Sequence, residues 1–81
     1  MEKIKVGLFG FGKTGKLVAQ ELINHDGIEL SWVVKRALVP GAEFASRVLG
    51  LDSDDGRIVT QNDLSLDFYR DNFVDVIVDF S

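Results

Sequence analysis

Residues 4–15 read IKVGLFGFGKTG, and they are followed by a helix-like segment, residues 16–25 (KLVAQELINH). Residues 4–9 are mostly apolar, as the residues of a buried parallel strand are. They run into glycines spaced G-x-G-x-x-G. Residues 16–25 place their apolar side chains at helical rather than alternating spacing, and Asp26 and Gly27 behind them favour the end of a helix. The sequence of residues 4–27 therefore predicts a strand, a tight glycine turn and a helix of about three turns.

The rest of the chain continues the alternation of strands and helices. The patterns predict further strands at residues 28–34, 57–60 and 74–80, helices at 42–51 and 63–72, and a polar turn at 52–56. Such an alternation is typical of a parallel sheet with right-handed crossovers. We therefore predict an α/β fold, a Rossmann-like doubly wound sheet with strand order 3-2-1-4, formed by residues 1–81 as one N-terminal domain or a fragment of it.

In this strand order, the last strand lies at an edge of the sheet. Its sequence, VDVIV at residues 74–78, is apolar, and an apolar edge strand pairs readily with another chain. We therefore expect the 81 residues to be the front part of a longer protein whose next strand covers this edge. A stop codon directly after Ser81 in the native gene would contradict this expectation.

The composition excludes several classes of protein. The chain is 46% hydrophobic and 27% charged, which is globular rather than disordered, and no apolar run approaches the ~20 residues that cross a bilayer. There is neither a secretory signal nor a cysteine, so we expect a cytoplasmic protein without disulfides or thiolate metal sites. The net charge of -4 argues against non-specific nucleic-acid binding. Residues 1–36 nevertheless hold six Lys and Arg against four Asp and Glu. This local excess of positive charge favours a small anion as a binding partner.

The glycine loop is the strongest chemical signal. Gly10 permits the tight turn, Gly12 lets the backbone approach a pyrophosphate, and Gly15 lets the helix pack closely on the strand. The pyrophosphate would lie on free N–H groups at the positive end of the helix. A phosphate-binding P-loop is excluded because Leu17 stands where its Ser or Thr would follow Lys16. The loop residues assigned to the cofactor are Gly10, Phe11, Gly12, Lys13, Thr14 and Gly15.

Two adjacent cations, Lys35 and Arg36, follow the second strand. A site that prefers NAD carries Asp or Glu at this place, where the carboxylate binds the ribose 2′-hydroxyl. An ammonium and a guanidinium instead pair with a 2′-phosphate. The sequence therefore predicts NADPH as the preferred cofactor, with NADH tolerated.

Other residues have plainer interpretations. His25 has no second His or Cys to form a metal site, and we predict none. Trp32 lies in a strand and is predicted to pack in the core. Asp75 and Asp79 are four residues apart in the predicted last strand and would share a face, but they receive no catalytic role.

Two segments resemble dihydrodipicolinate reductase, the reductase of lysine and diaminopimelate biosynthesis. They are KVGLFGFGKTGKLV at residues 5–18 and VDVIVDFS at residues 74–81. The closing Asp79, Phe80 and Ser81 resemble the D-F-T/S signature of that family. The family loop often reads G-x-x-G-R-M-G, whereas the loop here is shorter, with Lys13-Thr14 in place of Arg-Met. Homoserine and diaminopimelate dehydrogenases have similar openings, so another NADP-dependent dehydrogenase stays an alternative.

The resemblance implies a two-domain oxidoreductase, usually a tetramer. Such an enzyme transfers hydride from NADPH or NADH to a cyclic dihydropyridine dicarboxylate, and Phe80 and Ser81 would line its cofactor. The family's catalytic histidines and lysine belong to a substrate domain that these residues do not contain. We therefore expect residues 1–81 alone to bind cofactor weakly and to catalyse nothing. A stand-alone nucleotide-binding regulatory module is the alternative of a different class.

Overall fold

The computed structural model of the chain describes residues 2–36 and 43–80. Its strands are β1 (Ile4–Phe9), β2 (Ile28–Val34), β3 (Arg57–Val59) and β4 (Val76–Asp79). Its helices are α1 (Lys13–Asn24), α2 (Ala45–Val48) and α3 (Leu66–Asp71), and a 3-10 turn at Gln61–Asp63 lies between β3 and α3. Within this described part, no helix is both long and apolar enough to cross a membrane.

The four strands form one parallel sheet in the order β3-β2-β1-β4. The predicted α/β class and the predicted strand order are therefore confirmed. The carboxyl ends of all four strands meet at the same edge of the sheet, since the strands are parallel. This architecture is compatible with a Rossmann-like fold.

Helices cover both faces of the sheet. On one face, Leu8, Leu30 and Val33 pack with Ala19 of α1 and Ala45 of α2. On the other face, Trp32, Val34 and Val59 pack against partly buried side chains that include Phe68 and Tyr69 of α3. Successive residues of a strand point to opposite faces, which is why Val33 and Val34 join different clusters.

A bulge in β2 separates two residues that simple alternation would place on the same face. Val6 of β1 pairs with Leu30, but Gly7 pairs with Trp32, so Ser31 is one residue more than the ladder needs. Leu30 therefore faces α1 whereas Trp32 faces α3. Residues 32–34 are continuously apolar because they alternate between two faces of the sheet that are both covered by helices.

Trp32 is the centre of the second cluster, as predicted from its place in a strand. It is 1% exposed, and its Nε1–H donates to the carbonyl oxygen of Asn72 at 3.1 Å, at the end of α3. Phe9, Phe68 and Tyr69 contact its ring edge to face. A Cβ on Gly7 would overlap the Trp32 ring, so the glycine leaves the room that the indole occupies.

Two predicted helices have different bounds in the structure. α1 begins at Lys13 rather than at residue 16, because Gly12 acts as its N-cap and its carbonyl oxygen accepts from Lys16 N–H at 2.9 Å. α2 has four residues instead of the predicted 42–51. It is short because Phe44 is extended and bridges Arg57 beside β3, while Gly50 has a positive φ of 81° that ends the turn. Residue 42 lies outside the described residues.

Smaller differences affect the last third of the chain. The helix predicted at 63–72 divides into the 3-10 turn and α3, since Ser65 is extended and caps α3 by accepting from Phe68 N–H at 3.1 Å. β3 and β4 are each shorter than predicted, and Asp75 precedes β4 rather than lying in it. The Asp75 carboxylate accepts from Lys5 N–H at 2.9 Å. The expectation that Asp75 and Asp79 share a strand face is therefore wrong.

The two edges of the sheet differ. At the β3 edge, Ile58 N–H donates to the carbonyl oxygen of Glu43 at 2.8 Å, so the segment before α2 covers that strand. At the other edge, β4 pairs only with β1 among the described residues. Val76 and Ile77 of β4 are 47% and 50% exposed. The predicted apolar edge strand is thus present.

Candidate functional site

A cavity of about 470 Å³ opens at the carboxyl ends of the strands. It is lined by residues 9–12 at the end of β1, residues 34–36 at the end of β2, Gln61 after β3 and Phe80 after β4. The volume lies within the range of ~300–1,000 Å³ that small-molecule sites occupy. All four strand ends therefore contribute to one site.

The glycine loop has a geometry that depends on two of its three glycines. Gly10 has a positive φ of 103°, and its N–H donates to the carbonyl oxygen of Val34 at 3.0 Å, which joins the loop to the end of β2. A Cβ on Gly15 would overlap the carbonyl group of Gly10, so α1 can begin this close to β1 only with a glycine there. These findings match the predicted roles of Gly10 and Gly15.

Gly12 differs from the other two glycines of the motif, Gly10 and Gly15. It lines the cavity, and a Cβ placed on it would have no atom within 4 Å. The fold itself therefore does not require a glycine at this position. The space that the missing side chain leaves is open to a ligand.

Among the residues that the structure describes, no side chain caps the N-terminus of α1. Gly12 is the N-cap residue, and the first turn of α1 contains no acidic residue. The N–H groups of the first turn precede the bond from Lys16 to Gly12 and have no acceptor within the helix. In contrast, Ser65 caps α3, and Thr60 and Asp63 form a capping box on the 3-10 turn. The positive end of the longest described helix therefore borders the cavity without an anionic partner from the described residues.

Two cations lie at the β2 side of the cavity. Lys35 N–H donates to the carbonyl oxygen of Val59 at 2.8 Å, which continues the pairing of β2 with β3 beyond Val34. Lys35 is half-buried and Arg36 is exposed. Among the described residues that line the cavity there is no carboxylate, so its charge is positive although the whole chain carries -4.

The structure brings most of the predicted cofactor residues together. Of the ten assigned from the sequence, the cavity is lined by Gly10, Phe11, Gly12, Lys35, Arg36 and Phe80. Gly15 is buried behind the loop against Gly10. Lys13 and Thr14 are exposed on the first turn of α1 and do not line the cavity. Ser81 lies outside the described residues.

Phe11 contributes to the site in a restricted way. The residue is 3% exposed and packs with Leu8 and Ala19 in the core under α1, and Lys16 Nζ lies 5.8 Å from the centre of its ring. Its side chain therefore anchors the loop to the core. Its backbone is the part that a ligand could meet.

Gln61 lines the cavity and was not predicted from the sequence. The signal that could have found it is its place just after the third strand, at the same edge as the glycine loop. Phe9 and Val34, the last residues of β1 and β2, also line the cavity and were predicted only as strand residues.

Two titratable groups outside the cavity, His25 and Arg47, have local partners. His25 ends α1, and its Nδ1 accepts from Gly27 N–H at 3.0 Å. Among residues 2–36 and 43–80, no three His, Cys, Asp or Glu side chains are close enough together to hold a metal ion. Hydrogen bonding and charge from Asp54, with a further hydrogen bond from Asp52, raise the pKa of Arg47 above its ordinary value. Arg47 does not line the cavity.

Comparison with known proteins assigns neither a family nor a function to the chain. No protein-family model matches the chain, and no curated protein matches it.

Proposed function

We propose that this chain is the NADP(H)-binding part of a reductase. The observation that carries the proposal is a cavity at the carboxyl ends of parallel strands. In it the glycine loop meets two cations and the start of α1, which no described side chain caps. Ligands of open α/β sheets bind at this edge. We also propose that the fold is a doubly wound, Rossmann-like one.

The pyrophosphate would lie against Gly12 and the first turn of α1. N–H groups without an acceptor in the helix can donate to phosphate oxygens, and the helix dipole favours negative charge there. The open space at Gly12 allows the backbone to come within hydrogen-bonding distance of the phosphates. In this proposal Lys13 and Thr14 contribute through their backbone N–H groups, since their side chains do not line the cavity.

The adenosine ribose would lie at the end of β2. Lys35 and Arg36 supply two positive charges where a carboxylate would repel a 2′-phosphate. NADPH is therefore the proposed cofactor, with NADH bound less tightly.

The reaction is proposed from the resemblance to dihydrodipicolinate reductase. Phe80 of the Asp79-Phe80-Ser81 segment lines the cavity next to the glycine loop, which is where the D-F-T/S signature would meet the nicotinamide half of the cofactor. The proposed reaction is hydride transfer to a cyclic dicarboxylate held by a second domain, in an enzyme that forms homo-oligomers. Bound cofactor would supply the hydride, and residues 9–12 and Phe80 would hold its reactive ring at the sheet edge.

The binding proposal is tested by titrating NADPH and NADH into the ¹⁵N-labelled chain and following amide shifts, which also detects weak binding. We expect residues 10–15 and 35–36 to shift. Substitution of Lys35→Ala with Arg36→Ala should lower the ratio of NADPH to NADH affinity about tenfold or more, since each lost charge-assisted bond is worth ~1.5–3 kcal/mol.

A matched control is the double variant Lys3→Ala, Lys5→Ala. It changes the net charge equally, but both lysines are exposed near the start of β1, at the opposite end of the strand from the cavity. It should leave the affinity ratio unchanged. An equal ratio in the wild type and the Lys35/Arg36 variant would disprove the assignment of the 2′-phosphate, and shifts confined to other residues would disprove the binding site.

A further inference from the structure

Gln61 occupies the end of the cavity where β2 and β3 lie side by side. Val34 pairs with Val59, and Lys35 N–H donates to the carbonyl oxygen of Val59, so the chain leaving β2 runs beside the chain leaving β3. Arg36 is two residues beyond Val34, and Gln61 is two residues beyond Val59. Both therefore line the same end of the cavity.

The backbone that carries Gln61 is held in place by local hydrogen bonds. The Asp63 carboxylate accepts from Thr60 N–H at 2.9 Å and from Thr60 Oγ1 at 3.2 Å, and Leu64 N–H donates to the carbonyl oxygen of Gln61 at 3.1 Å. These bonds engage the Asp63 carboxylate in a capping box with Thr60. The backbone of Gln61 is therefore held at a defined position beside the cavity.

The Gln61 carboxamide itself is exposed and makes no hydrogen bond within the described part of the chain. It is neutral, with an acceptor at Oε1 and two donors at Nε2. Arg36 and Lys35 beside it are the better partners for a phosphate. A carboxamide instead matches the edge of adenine, where N6 donates and N7 accepts.

We propose that Gln61 selects the adenine base of the cofactor, accepting from the N6 amino group at Oε1 and donating from Nε2 to N7. This inference rests on the proposed function, because it requires the adenosine half of the dinucleotide to lie at the end of β2. It adds recognition of the base to the recognition of phosphate by Lys35 and Arg36.

The test compares NADPH with its hypoxanthine analogue, in which a carbonyl oxygen replaces the N6 amino group. Hypoxanthine presents two adjacent acceptors, O6 and N7, so Gln61 Oε1 loses its donor. We expect the wild-type chain to bind NADPH about tenfold more tightly than the analogue, since a bidentate pair of this kind discriminates about five- to 150-fold between bases. Gln61→Leu, which keeps the approximate size and removes the carboxamide, should bring the two affinities together.

Two further measurements separate the possible results. The side-chain ¹⁵N–¹H₂ resonances of Gln61 should shift with NADPH and shift less with the analogue. Gln20→Leu is the matched control, because Gln20 is an exposed glutamine of α1 that does not line the cavity, and it should leave the tenfold preference intact.

Failure of this inference and failure of the proposed function give different results. If the wild type binds NADPH but binds the analogue equally well, or if Gln61→Leu keeps the preference, then Gln61 does not read the base and the binding proposal stands. If the wild type binds neither molecule at the cavity, both proposals are wrong.

Discussion

The glycines of the loop serve two purposes that substitution can separate. Gly15→Ala would place a Cβ against the carbonyl group of Gly10, so we expect a loss of ~1–3 kcal/mol in the free energy of unfolding. Gly12→Ala adds a Cβ to open space, so we expect only the smaller cost of exchanging glycine for alanine at an N-cap, up to ~1 kcal/mol in the free energy of unfolding. The measurement is urea unfolding followed by Trp32 fluorescence.

The same two variants differ in their expected effect on the cofactor. Gly12→Ala should weaken NADPH binding about tenfold or more, because its Cβ occupies the space that the phosphates need. The folded fraction of Gly15→Ala should bind with smaller losses, because Gly15 is buried behind the loop. Normal NADPH affinity in Gly12→Ala would show that no ligand approaches the backbone at this glycine.

At the scale of single residues, the sequence predicted the backbone geometry of the glycine loop better than the direction in which individual side chains face. The roles of Gly10 and Gly15 followed from the motif because only backbone geometry was involved. The side chain of Phe11 was not placed by the motif, and it packs in the core instead of facing the cavity. Gln61 was missed because its importance depends on the pairing of Val34 with Val59, which brings together residues far apart in the chain.

A buried serine fixes the connection between α2 and β3. Ser46 is fully buried, its Oγ donates to the carbonyl oxygen of Ser53 at 2.6 Å, and it accepts from Asp55 N–H at 2.9 Å. Ser46→Ala leaves both backbone groups without this partner, so we expect a loss of ~1–3 kcal/mol in the free energy of unfolding, measured by urea denaturation.

Ser31→Ala provides the comparison for Ser46. Ser31 is only half-buried, and its Oγ makes a long 3.4 Å bond to Glu29, so its loss should change the free energy of unfolding by less than ~0.5 kcal/mol. Equal effects of the two substitutions would mean that the Ser46 bonds do not hold this connection.

At the scale of elements, the order of strands and helices was predictable but their lengths were not. Hydrophobic periodicity and the glycines predicted four strands and their order, which the structure confirms. α2 is shorter than its sequence indicated because residues 43 and 44 pair beside β3. The bulge at Ser31 was not predicted, since it is defined by the register of β2 on β1 rather than by β2 alone.

At the scale of the whole molecule, charge is distributed to suit a small anion. The described residues that line the cavity include two cations and no carboxylate, whereas residues 37–81 hold nine Asp and Glu against three Arg. The excess of acidic residues over the chain as a whole disfavours extended polyanions, whereas the two cations leave the cavity attractive to a phosphate group. The sequence predicted this separation, because Lys35 and Arg36 follow the strand next to the glycine loop.

We expect the outer edge of β4 to favour self-association of the chain. β4 pairs with β1 on its inner side, and Val76 and Ile77 are about half exposed, as suits pairing with another strand. We expect sedimentation velocity to show concentration-dependent association of the wild type, and Ile77→Lys to reduce it, because a lysine on an edge strand opposes pairing. Leu17→Lys is the control, since Leu17 is 63% exposed on α1 away from the sheet edge. Equal association of the wild type and Ile77→Lys would place the contact elsewhere on the molecule.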